Sequence, residues 1–275
     1  MKRVAAIQMA SGPNVSANLT EAERLISRAA AAGAELMVLP ENFPMMGMNE
    51  QDKVGIREAD GQGSIQQFLA ETALRHQVWI VAGTVPLMAG DAQHVRAACL
   101  VYNERGEQVA RYDKIHLFDV VLEETGETYT ESATIEPGDS IKVIDSPFGR
   151  MGLAVCYDLR FPEMFRRMVD DGVELIVLPA AFTALTGKAH WEALLRARAI
   201  ENLCYVVAAA QGGFHVNGRE THGDSMIVDP WGVVLDRLPR GSGFVIAELD
   251  LDKVASTRRS FPALDHRRIP CYLPK

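Results

Sequence analysis

The sequence predicts an α/β fold, a four-layer α-β-β-α sandwich of two pseudo-symmetric halves, and three observations carry that expectation. First, the string Gly33-Ala-Glu-Leu-Met-Val-Leu-Pro-Glu-Asn-Phe43 returns 139 residues later as Gly172-Val-Glu-Leu-Ile-Val-Leu-Pro-Ala-Ala-Phe182. Second, strand and helix patterns alternate around each copy and hairpins follow, the order of an α/β chain with mixed sheets. Third, Leu-Met-Val-Leu and Leu-Ile-Val-Leu are continuously apolar rather than alternating. Strands of that kind are covered on both faces, so a second sheet should lie on one side and helices on the other.

The elements repeat in order. A strand at 4–9, a helix at 18–32, the first echo strand, a helix at 64–76 and a strand at 78–85 make up the first half. The second half answers with a strand at 151–157, a helix at 162–171 opened by Pro162, the second echo strand, a helix at 189–202 and a strand at 203–211. Hairpins follow, 98–103 with 108–112 around Glu104-Arg-Gly106, and 226–229 with 233–236 around Pro230-Trp-Gly232. A final strand closes each half, at 141–145 and 244–249. No low-complexity stretch or linker interrupts the chain, so residues 1–275 read as one domain with halves roughly 1–138 and 139–275.

Bulk chemistry narrows the classes. Asp and Glu total 36 against 28 Lys and Arg, a formal charge of −8, which leaves no basic footprint for nucleic acid or an anionic membrane. An anionic small molecule would need cations placed locally in its site. Cys99, Cys156, Cys204 and Cys271 form no CxxC pair and have no paired histidines, which disfavours zinc, and their wide spacing is not a disulfide framework. The opening residues are too soon interrupted by polar groups for a signal peptide, and the apolar run 203–210 is too short to span a bilayer. A cytoplasmic address is the expectation. GxGxxG, P-loop, GxSxG and HExxH patterns are absent, so neither cofactor nor metal is expected.

Three segments carry chemistry. Glu41 follows an echo strand, at the strand edge where α/β folds bind ligands, but its echo partner is Ala180, so the fold itself does not require the acid. On its own it reads equally well as a solvated loop acid. Lys114, in Tyr112-Asp-Lys-Ile-His116, lies just past a hairpin strand; it is either a solvated strand end or a cation able to hold negative charge on a reacting oxygen. Cys156 ends a strand and precedes a tight turn and a helix, a junction that can expose sulfur and favour thiolate. Its bland alternative, a small buried hydrophobe, fits Cys99 and Cys204 inside apolar strands better.

Taken together and in order, LPENF, YDKIHLF and GLAVCYDLRFPE resemble the three signatures of the nitrilase superfamily of carbon–nitrogen hydrolases, over essentially the whole chain. The resemblance implies a nitrilase-like fold, Glu41 as general base, Lys114 as the charge-stabilising lysine and Cys156 as nucleophile, with the N–H of Tyr157 as a second oxyanion donor. A further glutamate in the loop after the lysine is best matched by Glu131, with Glu123, Glu124 and Glu127 as rivals in a loop richer in acids than the family pattern. The stretch 180–202 is similar to amidases of deaminated glutathione and of 2-oxo acid ω-amides, and residues 204–211 and 229–232 lean toward the former. There Arg160 is implied as a clamp for a substrate carboxylate, with Phe182 and Thr186 on the substrate wall; its structural alternative is an ion pair with Asp158 or Glu163. Gly223-Asp-Ser225 departs from the usual Gly-His-Ser, which puts the substrate end of the site in question at Asp224.

The expected activity is hydrolysis of a small, carboxylate-bearing amide through a thioester, with deaminated glutathione first among substrates. An ω-amidase, an N-carbamoyl hydrolase or a nitrilase would use the same residues, a Cys156/His116 pair is a mechanistic rival, and a silent scaffold is the non-enzymatic one. Family habit, the helix near Trp191 and a tail with Pro262 and Arg267-Arg268 lead to a homodimer or higher homo-oligomer. The pairs Glu192/Arg196 and Arg198/Asn202 read as surface or interface helix chemistry.

Overall fold

A computed structural model describes residues 1–124 and 126–269. Cys271 lies outside the described residues. Two sheets carry the fold. The first runs Gly243–Leu249, Lys2–Gln8, Leu36–Val38, Trp79–Val81 and Val95–Tyr102, with Val85–Met88 also pairing Val95–Tyr102 and Gln108–Asp113 along its other edge. The second runs Lys142–Ser146, Gly149–Leu153, Leu175–Ala180, Tyr205–Ala210, Ser225–Val228 and Val234–Leu238. In each, three central strands are parallel. The helices Val15–Ala31 and Ser64–His76 make the crossovers of the first sheet, Pro162–Asp170 and Ala184–Asn202 those of the second.

The apolar echo strands do what continuous hydrophobicity requires. Along Lys2–Gln8, Val4 and Ala6 share a core with Met151, Val177 and Val207 of the second sheet. Ala5 and Ile7 face the other way and pack with Leu25 and Ile26 of the first helix and Leu69 of the next. The period-2 pleat of a strand thus serves two apolar surfaces at once, and the layers run helix, sheet, sheet, helix.

Three boundaries moved. The helix expected from 189 starts at Ala184, because Thr183 caps it by accepting the N–H of Thr186 at 3.3 Å. The helix expected from 18 starts at Val15, behind Asn14, whose side chain accepts from Ala17 at 3.0 Å. The strand expected at 78–85 breaks at Gly83, which sits at φ +57° with its backbone so close to Pro40 that a Cβ would lie 2.0 Å from that carbonyl oxygen.

The closing strands differ in a more consequential way. Gly243–Leu249 does not close the second half's own sheet: it pairs antiparallel with Lys2–Gln8 in the first, in register from Lys2↔Leu249 to Gln8↔Gly243. Lys142–Ser146, just past the boundary at 138, pairs with Gly149–Leu153 and stays in the second half's own sheet. The second half thus lends Gly243–Leu249 to the edge of the first sheet. Local periodicity reports that a segment is a strand, not which open edge it satisfies.

Candidate active site

The turn bearing Glu41 is clamped from several sides. Asn42 takes φ +56°, and its N–H donates to the Thr84 hydroxyl at 2.9 Å, just beyond the Gly83 break. Gln211, in the second half, donates to the Glu41 backbone carbonyl at 3.1 Å and to the Ser11 hydroxyl at 2.8 Å. Lys114 follows the strand Gln108–Asp113, and its N–H bonds Ala97 O at 3.1 Å. Glu131 opens a 3₁₀ turn and is fixed by the N–H of Phe118 at 2.8 Å.

The strand expected to carry Cys156 stops at Leu153, and a 3₁₀ turn, Cys156–Arg160, follows. Cys156 itself stands at φ +49°, a left-handed conformation that costs a non-glycine residue about 1–3 kcal/mol. Asp158 holds the turn. Fully buried, it accepts from the N–H of Val155 at 2.8 Å and the Tyr112 hydroxyl at 2.7 Å, and contacts His116 Nδ1 at 2.7 Å. The sequence gives no sign of this role, since an acid two residues past a cysteine is locally unremarkable. His116 is engaged with Asp158 and stacked on Phe161, with ring centroids 3.7 Å apart; none of its contacts is to Cys156, which removes the Cys/His pairing.

Side chains from both halves now converge. Lys114 Nζ lies 2.8 Å from Glu41 Oε1 and 2.7 Å from Glu131 Oε2, and the lysine is fully buried. Glu41, Glu131 and Cys156 line one narrow pocket with Tyr157, Arg160, Phe182 and Thr186. Glu123 and Glu124 are exposed, and Glu127 lies farther out on the wall of a wider cavity, so of the four loop acids Glu131 alone reaches the lysine. The echo reappears here: Ala181, the counterpart of Asn42, points its N–H at Cys156 Sγ, 3.4 Å away.

Arg160 makes no ion pair with Asp158 or Glu163. Its guanidinium meets His190 Nδ1 at 3.1 Å and lies over the Phe182 ring, 5.1 Å from the centroid. Asp224 is buried behind the pocket rather than lining it, held at two points by Arg237 at 3.0 and 2.6 Å. Arg198 and Asn202 are not surface chemistry: both are buried, Arg198 donating to Leu159 O at 2.7 Å and Asn202 to Arg198 O at 2.9 Å. Trp191 is buried too, donating to Asp224 O at 2.8 Å, and presents nothing to a partner. Residues given no role from the sequence are Phe118, the last residue of the YDKIHLF string, Thr183 and Arg219, all of which line the pocket.

The electrostatics are those of a buried triad. Burial opposes charge on Lys114, but Glu131 and Glu41 outweigh it and hold its pKa well above the ordinary value. Burial also opposes charge on Glu131, yet Lys114, Lys53 and the N–H of Phe118 keep its carboxyl below the usual range. Cys156 moves the other way: burial and the neighbouring Glu41 push the thiol well up, against the pull of Lys114 and the Ala181 N–H. At neutral pH the sulfur is therefore protonated and needs a base at the moment of attack. Among the described residues no group of three or more His, Cys, Asp or Glu could hold a metal ion.

The fold and this site define a hydrolase of carbon–nitrogen bonds. Residues 3–259 match the carbon-nitrogen hydrolase family model, and the chain belongs to that family; it is an amidase of the nitrilase superfamily. It is 46% identical to a deaminated glutathione amidase of Synechocystis, over 96% of this chain and 97% of that one. The crystal structure of the Caenorhabditis elegans NitFhit protein superposes with a TM-score of 0.90 at 38% identity; the match covers 97% of this chain but only 65% of that one. Saccharomyces cerevisiae Nit3, a member of branch 10 of the nitrilase superfamily, gives 0.87 at 29% identity over 98% of this chain and 97% of its own.

Proposed function

We propose that the chain hydrolyses deaminated glutathione or a close carboxylate-bearing amide, with Cys156 as nucleophile, Glu41 as general base, Lys114 as oxyanion stabiliser and Glu131 positioning the lysine. One observation carries this reading: Lys114 Nζ is shared between Glu41 and Glu131 at hydrogen-bond distance, beside the pocket that holds the Cys156 sulfur.

Glu41 takes the thiol proton as Sγ bonds to the amide carbon and the carbonyl electron pair moves to oxygen. Lys114 and the N–H of Tyr157 hold that oxyanion. Collapse breaks the C–N bond, the departing amine recovers the proton from Glu41, and a thioester remains. Water, losing a proton to Glu41, attacks the thioester; the acid leaves and the sulfur is reprotonated. Arg160 receives a carboxylate on the acyl side, with Phe182, Thr186 and Tyr157 as walls; a planar guanidinium suits two-point binding. Turnover of a panel is expected to rank deaminated glutathione above 2-oxoglutaramate, 2-oxosuccinamate and simple nitriles, followed as primary amine, ammonia and acid. A higher kcat/KM for the ω-amides would make the chain an ω-amidase, and carbon dioxide among the products an N-carbamoyl hydrolase.

We take the chain as one hydrolase domain working in the cytoplasm. The strand Gly243–Leu249, which the second half lends to the first sheet, supports the former, and the free thiols Cys99, Cys156 and Cys204 suit a reducing compartment. No helix among the described residues is long and apolar enough to cross a membrane. Association as a homodimer or higher homo-oligomer is supported by the exposed apolar residues Ile200, on the same helix as the buried Trp191, and Trp231, Val233 and Phe261, with the Trp231 and Phe261 rings 5.7 Å apart. Light scattering at micromolar concentration is expected to give at least twice the 30.2 kDa chain mass, and a single-chain mass would overturn it.

A further inference from the structure

Asn42 and Arg219 line both the narrow pocket, about 20 Å³, and a neighbouring vestibule of about 450 Å³ walled by Met45, Met46, Lys53, Tyr129 and Asn217. An amide whose leaving group is ammonia has no atoms to put there. A substrate with a substantial leaving amine does.

The two arginines that line the inner pocket share an uncommon state. Arg160 and Arg219 pair with no carboxylate among the described residues, whereas others nearby, such as Arg96 with Glu136 and Arg237 with Asp224, are matched. Each lies over an aromatic face, Arg160 over Phe182 at 5.1 Å and Arg219 over Tyr129 at 5.0 Å. Arg219 is steadied from one side by donating from Nη2 to Ala181 O at 2.8 Å, directly behind the N–H that meets the Cys156 sulfur. Its buried Nε has no hydrogen-bond partner among the described residues, a deficit worth about 1–3 kcal/mol. Of the vestibule's acids, Glu50 is ion-paired with Lys53 at 2.5 Å and Glu127 is hydrogen-bonded to Tyr129.

We propose that Arg219 receives a carboxylate carried by the leaving amine. The site then takes amides that bear an anion on each side of the scissile bond, Arg160 holding the acyl-side carboxylate and Arg219 the amine-side one. This deepens the amidase reading above and rests on it. It also assigns the vestibule: it houses a peptide-like amine, and the two guanidiniums set the length of substrate that fits between them.

The test is a ratio. For whichever acyl group the amide panel shows to be turned over, kcat/KM is measured for its amide with glycine and its amide with methylamine, in the wild type, Arg219→Ala and Arg219→Lys. The wild type is expected to favour the glycine amide. Arg219→Ala is expected to lower that preference about 10- to 100-fold, chiefly through KM, and Arg219→Lys to restore part of it. A structural role for Arg219 would lower both substrates alike and leave the ratio where it was, which overturns the proposal. So does a wild type indifferent to the carboxylate. Failure on deaminated glutathione with the ratio intact would instead sink the substrate name and leave the subsite standing.

Discussion

Replacing Lys114 with methionine is expected to abolish amide turnover and to weaken the fold in the same step. The lysine side chain is fully buried, and its ammonium group lies between two carboxylates at 2.8 and 2.7 Å. Removing one partner from a buried ionic cluster typically costs about 3–5 kcal/mol, because the remaining charge has no water to turn to. Here two acids are stranded together, and one must take up a proton. If it is Glu41, the base is lost along with the oxyanion donor. Loss of such a donor costs roughly 10²–10³ in rate, and loss of general-base assistance a comparable factor, so the combined fall is on the order of 10⁴ or more.

The pH dependence of stability carries the same signature. The depressed pKa of Glu131 contributes stability above the ordinary carboxylate range and loses it as pH falls through the lower folded value. The raised pKa of Lys114 contributes stability that is complete below the ordinary lysine value, hence at neutral pH. In Lys114→Met both contributions vanish, so urea unfolding near pH 7 should show the full loss and acid titration a flatter decline. Activity within tenfold of wild type would remove Lys114 from the mechanism.

Cys156→Ala is expected to keep the fold and lose the chemistry. Alanine has the same difficulty as cysteine at φ +49°, and Asp158 still ties the turn to Val155 and Tyr112, so stability should stay within about 2 kcal/mol. Turnover should fall by roughly 10⁴–10⁶, the scale seen when the nucleophile of a concerted covalent site is removed. No other described thiol can stand in: Cys99 and Cys204 are buried among apolar residues, burial pushing Cys204 up to about 12. Mass spectrometry of rapidly quenched enzyme should find an acyl adduct on wild type and none on the variant. An adduct on the variant, or unchanged amine release, would end the proposal for Cys156.

Much of this site is legible in the sequence because its parts sit where strands end. The echo sets Glu41 and Asn42 opposite Ala180 and Ala181 at the two strand ends, and the structure brings Glu41 to the sulfur's surroundings as carboxylate and Ala181 as backbone donor. Glu131 is readable only against family pattern, since nothing local separates it from Glu127; what separates them is which one the Phe118 N–H and the lysine can reach. Asp158 and Arg219 were out of reach. The first acts through three donors that come together only when the turn folds, and the second sits on a hairpin whose packing against Tyr129 has no counterpart in residue spacing. Partner choice for the closing strands failed for the same reason: pairing is a property of edges, and edges exist only in three dimensions.

That pairing has a consequence for how the molecule comes into being. Lys2–Gln8 is synthesised well before its neighbour across the edge, Gly243–Leu249. Contacts so distant along the chain form late and slow folding, because the intervening loop must be closed before they return any stabilisation. Glu41, Lys114 and Glu131 are synthesised well before the sheet beneath them can be completed. A nascent chain halted before residue 243 therefore carries every side chain of the triad over an unfinished sheet, with its second strand's edge open to other chains. The strand Gly243–Leu249 acts as the keystone, and catalytic competence arrives with it.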